Sequence, residues 1–186
     1  MELAAVIIQA GGTGARLGGA SKPDLLIGGR RLLDILFDEL CATFSGPSVV
    51  IAPDDVAIPT GAIRTLENPP RGGPLAGVAA GLAVLDLPDD AVVGLATCDA
   101  PLAPRLYPKL LASMGAEGAV PTTERGWPQY LHGVYRLGAL RALTFERDGS
   151  IRKAFGALRL ARVEDSDCWC MDVDTPQDAV ALAARL

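Results

Sequence analysis

Residues 9–22 read Gln-Ala-Gly-Gly-Thr-Gly-Ala-Arg-Leu-Gly-Gly-Ala-Ser-Lys, with five glycines beside Arg16 and Lys22. Glycine has no Cβ, so its backbone N–H groups can close around an anion and its φ can turn positive. Arg16 and Lys22 bring formal charge to the same place, and Lys22 is one of only three lysines, with Lys109 and Lys153. A loop of this kind after a buried strand suits the gripping of a phosphate. Spacing rules out the P-loop, because no glycine here precedes a lysine. It also disfavours the dinucleotide fingerprint, whose third glycine is replaced by Leu17.

Further chemistry is spread along the chain. Asp99 follows the apolar run 91–97 and so stands at the carboxyl end of a predicted strand, where ligands bind in open α/β sheets. It precedes Pro104, the expected start of the next helix, by too much to be its N-cap. Mg²⁺ takes few carboxylates and completes its shell with phosphate oxygens. Asp172 and Asp174 alternate onto one face of an extended segment, and either can complete such a site. Thr175-Pro176-Gln177-Asp178 explains itself as a helix start, with Thr as cap, Pro at the first position and Asp at the third. Asp174 can equally be an acid favouring that helix dipole. Gly73-Pro74-Leu75-Ala76-Gly77, after Arg71-Gly72, is a turn whose backbone can read a base, or a small-residue face for close packing. Arg152 and Lys153 suit either an anionic acceptor or a solvated helix face. His132, the only histidine, reads as a strand residue without a Ser or Cys partner. Cys168 and Cys170 flank Trp169 on one strand face, and with one histidine they make a poor zinc set.

These residues need a scaffold, and the pattern supplies one. The chain has 186 residues, 49% of them apolar, which suits one domain over residues 1–186. A net charge of −5 argues against a general nucleic-acid or anionic-membrane binder, and no apolar run reaches the ~18–20 residues of a membrane span. The first residues lead directly into a strand rather than a leader, so a cytoplasmic protein with reduced cysteines is expected. Strands are predicted at 3–10, 48–52, 62–66, 91–97, 118–121, 129–135 and 158–163, with a short extended piece at 25–27 and a turn at Gly28-Gly29. Helices are predicted at 32–44, 74–85, 104–114, 139–146 and 151–156, with a last helix from Pro176. The alternation indicates a single-domain, Rossmann-like α/β three-layer sandwich with a mostly parallel mixed sheet.

The ordered set of motifs resembles the MobA-like nucleotidyltransferases. Ala10-Gly11-Gly12, Arg16-Leu17-Gly18 and Lys22 resemble the family's A-G-G-x-x-x-R-M-G-x-x-x-K signature. Gly73 to Gly77 resembles its G-P-L-A-G loop, and Cys98-Asp99-Ala100-Pro101 its C-D-x-P. Gly149-Ser150-Ile151-Arg152 resembles the segment before its last strand, and the run from Asp172 to Asp178 its closing N-x-N-T-P-E-D. Departures are Gln9 for a usual leucine, Asn68 where relatives have a nucleotide-contacting Asp, and Asp172 and Asp174 for asparagines. The resemblance implies a nucleotide-diphospho-sugar transferase-like fold. It implies Mg²⁺-dependent transfer of GMP from GTP to a molybdopterin phosphate, with release of pyrophosphate. Arg16, Lys22 and Asp99 would be catalytic. Gln9, Ala10, Gly11, Gly12, Thr13, Lys22, Asn68, Gly73, Pro74, Gly77 and Asp99 would bind nucleotide, and Asp99 and Asp174 would hold the metal. The same chemistry serves CTP with molybdopterin, GTP with a cobinamide phosphate, or an NTP with a sugar 1-phosphate. A non-catalytic nucleotide-binding protein on this fold is the remaining alternative.

Overall fold

The computed structural model describes residues 1–11 and 21–186. Among the described residues nine strands run in chain order: β1 (Ala5–Gln9), β2 (Leu26–Ile27), β3 (Arg30–Arg31), β4 (Ser48–Ile51), β5 (Ile63–Thr65), β6 (Val92–Thr97), β7 (Gly118–Thr122), β8 (Val134–Arg136) and β9 (Leu160–Glu164). The helices are α1 (Leu32–Cys41), α2 (Gly73–Ala83), α3 (Tyr107–Ala112), α4 (Leu137–Arg141), α5 (Ile151–Phe155) and α6 (Pro176–Ala183).

Seven strands form one sheet in the order β5-β4-β1-β6-β8-β7-β9. All neighbours are parallel except around β8, which is antiparallel to both β6 and β7. Six strands therefore end at one edge, and β8 begins there. β1 and β4 are buried nearly throughout, as continuous apolar runs must be when helices cover both faces. Alternation within β1 divides the core. Val6 and Ile8 pack with Leu33, Leu36 and Leu40 of α1 and Leu110 of α3. Ile7 packs with Leu75, Val78 and Leu82 of α2, Leu140 of α4 and Phe155 of α5. Leu182 of α6 shares a third cluster with Leu32, Ile35 and Val173. β2 and β3 form a small hairpin whose turn is Gly28-Gly29, with φ of +58° and +81°, the two positive values such a turn demands.

Four expectations are corrected. The stretch 129–135 is not wholly extended: Tyr130–His132 is a 3-10 turn, and β8 starts only at Val134. The predicted helix at 139–146 begins two residues earlier and stops at Arg141, and the segment from 104 opens as a 3-10 turn before α3. Cys168 and Cys170 do not share a strand face; they lie in a turn, with Cys168 at φ +53°.

α2 reaches β1 closely because Gly81 faces Ile7: a Cβ added there would stand 2.5 Å from Ile7 Cγ2. Ile7 is fully buried and cannot retreat into solvent. Gly81→Ala is expected to destabilise the fold by about 1–3 kcal/mol through overpacking, read as a lower midpoint in urea unfolding.

Candidate active site

The edge where six strands end gathers the polar segments. Lys22 sits in a 3-10 turn, Lys22–Asp24, pinned from behind by Arg31. The Arg31 guanidinium donates to Asp24 Oδ1 through Nε (2.9 Å) and Nη2 (2.6 Å), and Nη2 also donates to the Ala57 carbonyl at 2.7 Å. Lys22 Nζ then lies between two carboxylates, 2.9 Å from Asp99 Oδ2 and 2.6 Å from Asp174 Oδ1. Asp99 follows β6 directly and also accepts from the Thr97 hydroxyl. Asp174 arrives because the Val173 amide donates to the Asp99 carbonyl at 2.8 Å and the Val173 side chain is buried. The following cap is complete within itself: Thr175 Oγ1 accepts from the Asp178 amide, and Asp178 Oδ2 accepts from the Asp174 and Thr175 amides. The Asp174 carboxylate is thus spare from the capping and turns to Lys22.

Electrostatics follow from this packing. Burial alone would lower the Lys22 pKa, but its hydrogen bonds to Asp174 and Asp99 outweigh that and hold it above the ordinary lysine value. Burial would raise Asp99, yet hydrogen bonds from Thr97 and Lys22 hold it below the usual carboxylate range. Asp172 keeps an exposed surface, but surrounding protein strips part of its hydration, and Asp99 and Asp174 repel its charge; its pKa is pushed up to about 6. Beside them, the Cys98 thiol is fully buried and pushed well above its usual value, so it is no nucleophile.

The donors suit a hard divalent cation. Two carboxylates converge on one ammonium, which marks where a cation sits, and a third acid lies close enough to raise the local negative charge. Among the described residues no cluster of three or more metal-ligating side chains forms. Two carboxylates, with phosphate oxygens and water, form a set that a hard divalent cation accepts.

The Gly73–Gly77 turn starts α2 at the same edge. Gln9 Nε2 donates to the Pro74 carbonyl at 2.8 Å, and a Cβ on Gly77 would stand 3.4 Å from Gln9 Oε1. Gln9, Pro74 and Gly77 are thereby brought together. Gly73 has φ +78°, and Asn68 is exposed in the preceding loop. Ala10 is buried and its amide donates to the Ile51 carbonyl at 2.9 Å, so that amide is used within the fold rather than presented to a ligand. Gly11 is exposed beside it. Gly12, Thr13 and Arg16 lie outside the described residues.

Sequence reasoning missed the segment that holds this turn. The Arg147 guanidinium donates to the carbonyls of Pro69 and Pro70, the latter at 3.2 Å, and the Asp148 amide donates to the Gly72 carbonyl at 2.8 Å. Any side chain at Gly72 would collide with Arg147, whose Nη1 lies 2.5 Å from the Cβ position. No local signal marks Arg147, because its partners are 77 and 78 residues away. His132 was expected on a strand; it is instead buried in the 3-10 turn with Nδ1 unpartnered among the described residues. Burial pushes its pKa down to about 4 against the pull of the Asp99 and Asp165 charges. All four cysteines are free.

A family model described as a MobA-like NTP transferase domain matches residues 6–163. A molybdenum cofactor guanylyltransferase of Acidiphilium cryptum is 34% identical over 145 residues, which are 77% of this chain and 72% of that protein. Two crystal structures share the fold. Molybdopterin-guanine dinucleotide biosynthesis protein A from Archaeoglobus fulgidus superposes with a TM-score of 0.67 at 18% identity, covering 98% of this chain and 100% of that one. 2-C-methyl-D-erythritol 4-phosphate cytidylyltransferase from Thermus thermophilus gives 0.66 at 23%, covering 99% and 100%.

Two outcomes are expected. Arg147→Ala should speed hydrogen exchange at residues 69–73 while leaving that of β1 unchanged. His132 is neutral when folded, whereas unfolded histidine protonates below its ordinary pKa of about 6.5. The unfolded chain therefore binds the extra proton, and stability falls as pH drops from 6.5 towards 4. Between pH 8 and pH 5 this term removes about 2 kcal/mol, and urea unfolding of His132→Gln should lack that part of the loss.

Proposed function

The chain belongs to the MobA-like NTP transferase family and is a nucleotidyltransferase; on that premise we propose that it transfers GMP from GTP to the phosphate of molybdopterin. The observation that carries the reading is Lys22 held between Asp99 and Asp174 at the sheet edge where α2 also starts. The guanine and molybdopterin assignments draw support from the named activity of the 34% identical relative.

Asp99 and Asp174 would hold Mg²⁺, which would supply positive charge against the leaving pyrophosphate. Lys22 and Arg16 clamp the β- and γ-phosphates, Arg16 by a planar fork and Lys22 as a compact charge. Gly11, Gly12 and Thr13 line the triphosphate, and Asn68, Gly73, Pro74 and Gly77, steadied by Gln9, line the base. An acceptor phosphate oxygen attacks the α-phosphorus; the bond from that phosphorus to the bridging oxygen breaks, and pyrophosphate leaves. No protein nucleophile is needed, in keeping with a protonated Cys98 and a buried, neutral His132. Catalysis is positioning and electrostatics. The likeness to a cytidylyltransferase favours one second reading, CMP transfer from CTP.

Calorimetry with GTP, CTP and ATP in Mg²⁺ should rank GTP first. Asp99→Asn should lower kcat for pyrophosphate release by about 10²–10³-fold. Turnover surviving in that variant would remove Asp99 from the chemistry, and tight NAD binding with no NTP binding would overturn the reading altogether.

A further inference from the structure

The loop 123–129 follows β7 at the same edge as Asp99, and it carries a tryptophan that the core does not use. The backbone there is a tight hairpin. The Thr123 amide donates to the Trp127 carbonyl at 3.0 Å, the Trp127 amide donates to Thr123 Oγ1 at 3.2 Å, and Gly126 takes φ +75°. The indole so presented is 53% exposed. The chain's other tryptophan, Trp169, is half-buried between the Arg105 and Arg185 guanidinium groups, at 4.5 and 4.4 Å from its ring centre. Arg152, from the first turn of α5, lies 5.1 Å from the centre of the Trp127 ring. Among the described residues neither Arg152 nor Lys153 forms an ion pair. A flat apolar face and unneutralised positive charge thus stand together on a rigid support.

From this arrangement we propose that Trp127 and Arg152 form the acceptor subsite, which takes a planar conjugated heterocycle bearing negative charge. The proposal rests on the transferase reading and adds where the second substrate lies and what reads it. Strand order supplies the geometry. The Gly73–Gly77 turn follows β5, which lies on one side of the β1–β6 centre; Trp127 follows β7, two strands from β6 on the other side. Two strand spacings are about 10 Å, room for an acceptor whose phosphate reaches the centre. Transfer between two bound substrates requires such flanking pockets with the reacting groups in the middle. An indole stacks on any planar π system, and a guanidinium beside it adds attraction for an anionic ring. Segment 147–152 links the two places, since Arg147 and Asp148 hold the turn before α2 and Arg152 covers Trp127.

The test uses pterin-6-carboxylate, which is flat, conjugated and anionic, with glucose 1-phosphate as an anion lacking a π system. Wild-type tryptophan emission should be quenched saturably by the pterin. Calorimetry should show binding weakened about tenfold in Trp127→Ala and about fivefold in Arg152→Gln, with unchanged unfolding midpoints. Glucose 1-phosphate should bind at least about tenfold more weakly than the pterin. Equal pterin affinity in wild type and Trp127→Ala, or equal affinity for the two probes, overturns the subsite. Transfer kinetics separate the two readings. GMP transfer with an unchanged acceptor KM in Trp127→Ala sinks the subsite alone. Pterin binding that requires Trp127, without transfer from any NTP, sinks the transferase reading and supports the subsite.

Discussion

The arrangement on which the site depends is one ammonium shared by two carboxylates. Lys22, Asp99 and Asp174 come from segments separated by 77 and 152 residues, and their convergence ties the turn at Lys22–Asp24, the end of β6 and the stretch before α6 together. Lys22 is mostly buried, so it could not stay charged there without partners of opposite sign. The ammonium is compensated by its two partners, and the cluster keeps a net negative charge. Under the proposed reaction these partners would be exchanged, the carboxylates for a cation and the ammonium for phosphates. On that proposal, entry of nucleotide is a trade of partners rather than the filling of a charged void.

The rest of the site is built for stiffness at places where apolar packing is thin. The turn before α2 has glycines where side chains would collide, and its carbonyls are held by Arg147 and the Asp148 amide. The turn bearing Lys22 is held by the fork of Arg31. The segment leading to Asp174 is anchored by Asp165, whose carboxylate accepts from the amides of Trp169 and Cys170 at 2.9 and 2.8 Å. In each case an oriented polar group does at an edge what a leucine does in the core, with finer control of direction.

How much of this was legible in the sequence depended on how local the cause was. β1 and β6 were readable because unbroken apolar runs mark strands buried on both faces. The hairpin at Gly28-Gly29 and the cap at Thr175 were readable because turn and cap chemistry is written in adjacent residues. Asp99 was flagged by its place after an apolar strand. What could not be read came from distant packing. Residues 129–135 look extended, yet Tyr130 turns to lay its ring 5.8 Å from that of Phe155, a contact 25 positions away in the chain, and the backbone bends into a 3-10 turn. His132 is buried as a result. The pairing of Lys22 with both acids was also hidden, because sequence shows the signs of charges but not which of them meet.

The clasp between the Val173 amide and the Asp99 carbonyl has a consequence for how the protein comes into being. A ribosome delivers Lys22 before Asp99, and the second carboxylate only when residue 174 emerges. Until then a nascent chain can pair β1 with β4 and β6, yet it holds Lys22 with half its partners. The set of three charges is therefore assembled as a single late event. A prematurely terminated chain with a well-formed sheet would still leave Lys22 short of its second carboxylate.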